Sequence, residues 1–276
     1  MRRQIRKVAV LGSGVMGSAI AAHFANAGIA SLVLDIVPKD AGDDRKARDR
    51  IAAGAVAALK KTRPSPLFIA RDISLIETGN LEDDLPRLKE ADWVIEVVKE
   101  DMKIKKIVLA NAAPHIAPEA IFTSNTSGLS LAEMATVLPD DLKPRFFGTH
   151  FFNPPRYMKL FELIPTSDSD PELVSFVADF ARDRLGKGIV MAKDTPNFIA
   201  NRVGVHAMMA TVGVMNEMGL SIEEVDALTG PAIGRPKTAT FKLADLVGLD
   251  TFLHVADNIY PLIPDDEARE TFKAPD

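Results

Sequence analysis

Two side chains capable of acid–base chemistry stand in apolar surroundings near the middle of the sequence. His150 lies in the run RFFGTHFF (145–152), and Glu162 lies twelve residues later in the run MKLFELI (158–164). An imidazole takes up a proton near neutral pH, and a carboxylate on its second nitrogen stabilises the imidazolium that forms. A carboxylate in an apolar run needs a partner in any case, because burying an unpaired charge is costly. The spacing is therefore equally consistent with a catalytic dyad and with a structural ion pair.

Further polar side chains follow two of the predicted strands. Ser124-Asn125-Thr126-Ser127-Gly128 follows the strand candidate 120–123, and Glu100 and Lys105 follow the strand candidate 93–98. Ligands of open parallel sheets gather at the C-terminal ends of the strands, so we expect a site here. Short polar residues ahead of Glu133 are also typical of a helix N-cap, which is the alternative for the first segment.

The segment 7–35 predicts the first elements of a sheet that could position these groups. An apolar run breaks into Gly12-Ser13-Gly14-Val15-Met16-Gly17 and continues as an alanine-rich helical segment, which indicates a strand, a tight turn and a helix. Gly12 permits the turn, Gly14 lets the backbone approach a pyrophosphate, and Gly17 lets the helix pack closely on its strand. The pyrophosphate would lie on the N–H groups of the helix N-terminus, where the helix dipole favours negative charge.

An acidic residue ends the second predicted strand. Asp35 stands 18 residues after Gly17, where a carboxylate accepts the ribose hydroxyls of adenosine. It would repel a 2′-phosphate, and the next residues, Ile-Val-Pro, offer no arginine to bind one. The sequence therefore predicts NAD rather than NADP as the cofactor.

The rest of the chain predicts an α/β fold of the Rossmann type, with a mostly parallel sheet, helices on both faces and a smaller all-α domain after it. Residues 67–76 are predicted to form a connector and a short strand, followed by a turn at Gly79. From Phe198 onward the periodicity is helical, and Ser221 to Glu224 has the pattern of a capping box. We place an NAD-binding domain at residues 1–193 and a helical domain at residues 194–276, whose core we expect the methionines at 208, 209, 215 and 218 to fill.

Composition excludes several classes of function. The chain has 276 residues, 47% of them hydrophobic, which suffices for one large or two smaller domains. The net charge of −5 argues against nucleic acid as a partner, and no apolar run approaches the roughly 18 residues of a membrane span. The absence of cysteine excludes disulfides and thiol nucleophiles and fits a reducing cytoplasm. The other four histidines stand apart from acidic residues in the sequence, so we expect no metal site.

With these residues assembled, the chain resembles the 3-hydroxyacyl-CoA dehydrogenase family of fatty-acid β-oxidation. H-F-F-N-P followed by the glutamate twelve residues after its histidine is the most specific part of the resemblance, together with S-N-T-S. The segments EVVKEDMKIKK and KDTPNFIANR extend it over nearly the whole chain. The segment GRPKTATFKLADLVGLD (234–250) looks most like bacterial proteins that join this dehydrogenase to a hydratase.

The resemblance implies NAD-dependent oxidation of (S)-3-hydroxyacyl-CoA to 3-oxoacyl-CoA, with a role for each matching residue. His150 would be the catalytic base, Glu162 its orienting partner, and Ser127 and Asn201 polar contacts to the substrate. The implied partners are an acyl-CoA thioester, a second copy in a homodimer and an enoyl-CoA hydratase domain fused to the dehydrogenase in a longer protein. The implied cofactor contacts are Gly12, Gly14, Val15, Met16, Gly17, Asp35, Glu100, Lys105, Ser127 and Asn153.

The chain departs from the family pattern in three places. Asn197 replaces a glycine, and Pro155-Arg156-Tyr157 replaces a more apolar stretch. The chain ends at Asp276, before the family's closing glycine-rich segment, so we expect the helical domain to be incomplete. Two alternatives stay open: a non-catalytic NAD-binding or structural protein on the same fold, and a β-hydroxyacid dehydrogenase with a non-CoA substrate. The set of His150, Glu162, Ser127 and Asn201 argues against the first, and H-F-F-N-P against the second.

Overall fold

The computed structural model describes residues 3–249, 253, 255–256 and 259–273. Asp250, which ends the segment 234–250, and His254 lie outside these residues. The chain divides into two compact units, Met1–Asp194 and Thr195–Asp276. The strands of the first unit are β1 (Lys7–Leu11), β2 (Ala30–Asp35), β3 (Ile76–Asn80), β4 (Trp93–Glu96), β5 (Ile121–Ser124), β6 (Phe146–Phe151), β7 (Leu160–Ile164) and β8 (Gly188–Met191). Its α-helices are α1 (Val15–Asn26), α2 (Arg45–Arg48), α3 (Arg50–Ala58), α4 (Met102–Ala112), α5 (Leu131–Ala135) and α6 (Pro171–Leu185).

All the strands lie in one sheet in the order β3-β2-β1-β4-β5-β6-β7-β8. Neighbouring strands from β3 to β6 are parallel, β7 is antiparallel to β6, and β8 is parallel to β7. The strands from β1 to β6 therefore end at one edge of the sheet, where ligands of such folds bind. The chain order reverses beside β1, because β2 lies on one side of it and β4 on the other.

Both faces of the sheet are covered, as the side chains of β1 show. Successive strand residues point to opposite faces, and Val8, Ala9, Val10 and Leu11 are all fully buried. Val8 and Val10 pack in one cluster with residues of α1, α3 and α6, which bury their apolar sides against this face. The prediction of a mostly parallel, doubly covered sheet is confirmed.

The prediction for residues 67–80 is wrong in detail. Residues Ala70–Leu75 form a 3₁₀ helix, and the strand β3 runs from Ile76 to Asn80, so the predicted turn at Gly79 lies inside a strand. Glycine is needed there because a Cβ at Gly79 would lie 2.3 Å from Oδ2 of Asp84. Asp84 accepts a hydrogen bond from the backbone N–H of Asn80 at 2.8 Å. An edge strand with this polar composition has no apolar alternation that would reveal it in the sequence.

The second unit contains α7 (Ala200–Met218), α8 (Ile222–Thr229) and α9 (Phe241–Val247), as the predicted helical periodicity requires. The capping box of α8 is confirmed, because Ser221 and Glu224 each bond the other's backbone N–H. Met209 is buried in the core of this unit, whereas Met218 is 66% exposed, so the prediction of core methionines is wrong for Met218. No helix among the residues that the structure describes is long and apolar enough to cross a membrane.

Asn197, where the family resemblance leads us to expect a glycine, has a φ of 58°. This left-handed conformation suits glycine best, and asparagine is among the few other residues that adopt it readily. The local backbone is therefore compatible with either residue.

Candidate active site

His150 and Glu162 occupy directly paired positions of the antiparallel strands β6 and β7. Nδ1 of His150 lies 2.8 Å from Oε2 of Glu162, and the two residues are 4% and 0% exposed. With a carboxylate at this distance, the neutral imidazole favours the tautomer with its proton on Nδ1, and this N–H donates a hydrogen bond to Glu162. Nε2 then carries the lone pair, which is the form a general base requires.

The residues that follow β5 lie beside His150. Asn125 accepts a hydrogen bond through Oδ1 from the backbone N–H of Phe151, the residue after the histidine, at 2.8 Å. Thr126 accepts from the backbone N–H groups of Gly128 and Leu129, at 3.4 and 3.1 Å. The N-cap of α5 is Ser130, which lies beyond the S-N-T-S segment. The N-cap alternative for that segment therefore does not hold. Its side chains instead bind backbone N–H groups next to the C-terminal ends of β5 and β6.

The glycine loop between β1 and α1 has the space that a pyrophosphate needs. Gly12 has a φ of 105°, and a Cβ there would lie 2.7 Å from the carbonyl oxygen of Val97. A Cβ at Gly17 would lie 1.9 Å from the carbonyl oxygen of Gly12, so only glycine permits this approach of helix and strand. A Cβ at Gly14 would meet no heavy atom of the described chain within 4 Å.

The N-terminus of α1 faces this loop. Gly14 is the N-cap of the helix, no side chain caps it, and no acidic residue lies in its first turn. Val15 and Met16 are the first two residues of α1; Val15 is 74% exposed and Met16 is partly buried. Backbone N–H groups, open space and the helix dipole together fit the pyrophosphate of a dinucleotide.

Asp35, the last residue of β2, lies against the same loop. Its Oδ2 accepts hydrogen bonds from the backbone N–H of Ser13 at 2.6 Å and from the Ser13 hydroxyl at 2.5 Å. Its Oδ1 accepts from the backbone N–H of Ile36 at 2.7 Å. Ser13 was not among the residues predicted for the site, and the one signal for its contact with Asp35 is a hydroxyl between the first two glycines of the loop.

Glu100, Lys105 and Ser127 are brought together by α4 and the segment after β5. The Lys105 ammonium is 3.2 Å from Oε2 of Glu100, whose Oε1 accepts from the hydroxyl of Thr126 and the backbone N–H of Ser127. Lys105 also pairs at 2.9 Å with Glu96, the last residue of β4. Burial on its own would lower the pKa of Lys105, but the carboxylates of Glu96 and Glu100 outweigh it and raise the pKa above its usual value.

The two other predicted contacts lie on different elements. Asn153 is exposed in the connection between β6 and β7, and Asn201 is the second residue of α7 in the helical unit. Glu96, which pairs with Lys105, was not among the predicted site residues, although an acid at the end of the run WVIE is a detectable signal. Among the described residues, no group of three or more histidine and acidic side chains could hold a metal ion.

Two cations hold the connection between β6 and β7 in place. Lys187 donates to the carbonyl oxygens of Pro155 and Met158, and burial lowers its pKa to about 8. Arg156 donates to the carbonyl oxygens of Ser65 and Leu67 at 2.6 and 2.9 Å. Arg156 therefore links this connection to the segment after α3.

Comparison with known proteins gives a consistent result. Residues 7–195 match the family described as "3-hydroxyacyl-CoA dehydrogenase, NAD binding domain", and residues 198–274 match "3-hydroxyacyl-CoA dehydrogenase, C-terminal domain". A probable 3-hydroxyacyl-CoA dehydrogenase of Bacillus subtilis is 51% identical over 285 residues, which cover 100% of this chain but 36% of that protein. A probable 3-hydroxyacyl-CoA dehydrogenase of Deinococcus radiodurans is 45% identical over 98% of this chain and 78% of its own length.

Among solved structures, the (S)-3-hydroxybutyryl-CoA dehydrogenase of Ralstonia eutropha is similar to the whole chain. It aligns with a TM-score of 0.80 and 28% sequence identity, over 96% of this chain and 90% of that one. The similarity therefore extends over both units of the chain.

Proposed function

This chain belongs to the 3-hydroxyacyl-CoA dehydrogenase family, and we propose that it oxidises (S)-3-hydroxyacyl-CoA to 3-oxoacyl-CoA with NAD in fatty-acid β-oxidation. The observation that carries the proposal is the buried pair of His150 and Glu162, with Nδ1 and Oε2 2.8 Å apart. It lies beside the strand ends at which the glycine loop and the S-N-T-S segment also lie. A fold match alone would leave the chemistry open, whereas this pair supplies a base.

In this reaction His150 is the catalytic base and Glu162 orients it. Nε2 of His150 takes the proton of the substrate's 3-hydroxyl, and NAD, when bound, would supply the acceptor for the hydride of carbon 3. Glu162 keeps the Nδ1 proton in place and stabilises the imidazolium that forms, which general base catalysis requires. In the reverse direction the imidazolium returns its proton to the developing alkoxide.

Other residues bind and orient the two ligands. The loop residues Gly12, Gly14, Val15, Met16 and Gly17 hold the pyrophosphate, and Asp35 accepts the ribose hydroxyls of the adenosine. Glu100, Lys105, Ser127 and Asn153 contact the cofactor, and Ser127 and Asn201 contact the substrate. The proximity of Glu100, Lys105 and Ser127 supports a common task for these three.

The partners follow from the same assignment. We propose a homodimer formed through the helical unit, where Val214, Met218 and Leu228 are at least half exposed around an apolar groove of about 340 Å³. The much greater length of the Bacillus relative supports a further domain, and we propose an enoyl-CoA hydratase. We also propose a cytoplasmic location, which the absence of cysteine supports. Light scattering after size exclusion would measure the oligomeric state.

Oxidation of NADH by acetoacetyl-CoA tests the proposed activity. We expect turnover with acetoacetyl-CoA and little with free acetoacetate, because the thioester carries the CoA that the enzyme binds. The assay should use both this chain and a longer natural form. Absence of turnover in both would reject the enzymatic function, and equal rates with free acetoacetate would reject the CoA substrate.

A further inference from the structure

A fully buried carboxylate lies behind the proposed cofactor site and does not belong to the set that the family resemblance implies. Glu96 ends β4, paired with Leu11 of β1 on one side and with Ser124 of β5 on the other. It is 0% exposed and lies deeper than Glu100, whose side chain is 41% exposed. A charge so far from water requires compensation by several partners.

Four hydrogen bonds supply that compensation. Oε1 of Glu96 accepts from the backbone N–H of Val98 at 2.6 Å and from the Lys105 ammonium at 2.9 Å. Oε2 accepts from the Ser124 hydroxyl at 2.5 Å and from the same ammonium at 3.2 Å. Glu96 thereby joins the ends of two strands to the first turns of α4.

Lys105 has two carboxylate partners with different access to solvent. The Lys105 side chain is 1% exposed, that of Glu96 is 0% exposed and that of Glu100 is 41% exposed. The Lys105 ammonium also donates to a third acceptor, the carbonyl oxygen of Val98, at 3.2 Å. Glu100 is therefore the carboxylate that an incoming ligand can reach, and Glu96 is the fixed one.

Glu96 also supports the glycine loop. Glu96 accepts a hydrogen bond from the backbone N–H of Val98. Gly12 packs against this same backbone, since a Cβ at Gly12 would lie 3.0 Å from the Val98 nitrogen. The same carboxylate thus fixes Lys105 and the surface under the pyrophosphate loop. Side chains that bind a ligand need such supporting partners to keep their geometry.

We propose that Glu96 is the positioning residue of the NAD site. It holds the Lys105 ammonium in place from the interior of the protein. When the cofactor binds, Glu100, on the solvent side, gives up its contact with Lys105 and contacts the cofactor instead. This inference rests on the proposed contact between Lys105 and NAD. It assigns the affinity for the cofactor in part to a side chain that the cofactor does not contact.

A double-mutant cycle on NADH binding tests the inference. Lys105→Met and Glu96→Gln should each raise the Kd for NADH by about tenfold, the usual worth of a hydrogen bond to a charged group. The double variant should bind no more weakly than either single variant, because Glu96 acts through Lys105. Fluorescence titration of NADH measures all four proteins without any turnover.

Thermal unfolding separates positioning from stability. Glu96→Gln should lower Tm, because the buried Lys105 ammonium then loses one of its two carboxylate partners. The double variant, which also lacks the ammonium, should recover part of the lost Tm. If Glu96→Gln does not fold, comparison of the double variant with Lys105→Met decides, since equal Kd values support the proposal. The matched control is Asp92→Asn at the opposite end of β4, where Asp92 accepts from the backbone N–H groups of Arg6 and Lys7. It should lower Tm and leave the Kd for NADH unchanged.

Three results would overturn the inference: an unchanged Kd in folded Glu96→Gln, additive effects in the cycle, or a parent protein that binds no NADH. A parent protein that binds NADH but fails to turn over acetoacetyl-CoA would reject the proposed function alone. The cycle would then still decide the role of Glu96.

Discussion

Nδ1 of His150 and Oε2 of Glu162 are 2.8 Å apart because the two residues face each other across the antiparallel strand pair of β6 and β7. Both backbones are fixed by ladder hydrogen bonds, and both side chains are buried. The ring and the carboxylate are therefore already placed for a hydrogen bond between Nδ1 and Oε2 before any substrate arrives. Catalytic groups held in this way by rigid elements need little rearrangement in the transition state.

The first prediction concerns the base. His150→Gln should lower turnover of acetoacetyl-CoA by about 10²- to 10⁴-fold, the usual contribution of positioned proton transfer. NADH binding should hardly change, because the glycine loop and Asp35 are on other elements. His115→Gln, at the end of the 3₁₀ helix Ala113–His115, is the control and should keep the parent rate. A near-normal rate in His150→Gln would leave the protein without an identified base.

The second prediction distinguishes a catalytic dyad from a structural pair. Glu162→Gln should lower turnover. In the double variant with His150→Gln, the activation free energy should rise by much less than the sum of the two single increases, because the residues act as one unit. A purely structural pair should instead lose about 3 to 5 kcal/mol of stability when one partner is removed. Thermal unfolding and single-turnover rates on the same variants decide. A large loss of Tm with a normal rate would indicate the structural pair.

The third prediction concerns cofactor choice. Asp35→Ala should weaken NADH binding and narrow the preference for NADH over NADPH, because the 2′-hydroxyl loses an acceptor and the 2′-phosphate loses a repulsive neighbour. Titration calorimetry with both cofactors measures the change. Asp179→Ala, an exposed acid on α6, should alter neither affinity. A parent protein that prefers NADPH would contradict the assignment of Asp35.

The fourth prediction uses two glycines of the same loop. Gly14→Ala should leave Tm nearly unchanged, because the new methyl group meets no atom within 4 Å, but it should weaken NADH binding by occupying the space proposed for the pyrophosphate. Gly17→Ala should lower Tm as well, because its Cβ would lie 1.9 Å from the backbone oxygen of Gly12. Thermal unfolding and NADH titration of both variants test this. Unaltered NADH binding by Gly14→Ala would place the pyrophosphate elsewhere.

The fifth prediction concerns acid stability. His23 is 6% exposed, and Nε2 lies 3.1 Å from the carbonyl oxygen of Leu185, while Nδ1 has no partner among the described residues. Burial, followed by the nearby charge of Lys187, lowers its pKa from 6.5 to about 4. The unfolded chain therefore binds a proton below pH 6.5 that the folded protein rejects until about pH 4, so stability falls as the pH falls through this window.

At most about 3 kcal/mol of stability is lost in this way, from 1.4 kcal/mol for each unit of pKa difference. His23→Gln keeps a donor for Leu185 but does not titrate. Its free energy of unfolding, measured with urea from pH 7 to pH 4, should therefore depend less steeply on pH than that of the parent. Carboxylates contribute equally to both proteins, and equal slopes would contradict the prediction.

Much of the site could be predicted because its chemistry is local in the sequence. The glycine loop follows its strand directly, and Asp35 ends the next strand at a characteristic distance. His150 and Glu162 each lie in an apolar run, and a carboxylate in such a run needs a partner. Whether that pair serves catalysis could not be decided from spacing, because burial alone demands the same partnership.

What could not be predicted depends on contacts between distant segments. Glu96 becomes a centre of hydrogen bonds only when β4 lies between β1 and β5 and when α4 brings Lys105 back over the strand end. Ser13 has a role only because Asp35 comes to lie against it. The strand β3 was obscured by Gly79 and Asn80, residues typical of turns. Gly79 lies there because a Cβ would lie 2.3 Å from Oδ2 of Asp84.

The antiparallel direction of β7 has a consequence for how such dyads can vary among proteins. The acid and base meet through strand register, so the number of residues in the loop between β6 and β7 does not itself determine their distance. Insertions in that loop can preserve the chemistry as long as the register is kept. A register slip of one residue would turn the carboxylate to the opposite face of the sheet and abolish its contact with the imidazole. Searches for distant enzymes of this kind should therefore compare facing strand positions rather than a fixed interval between histidine and glutamate.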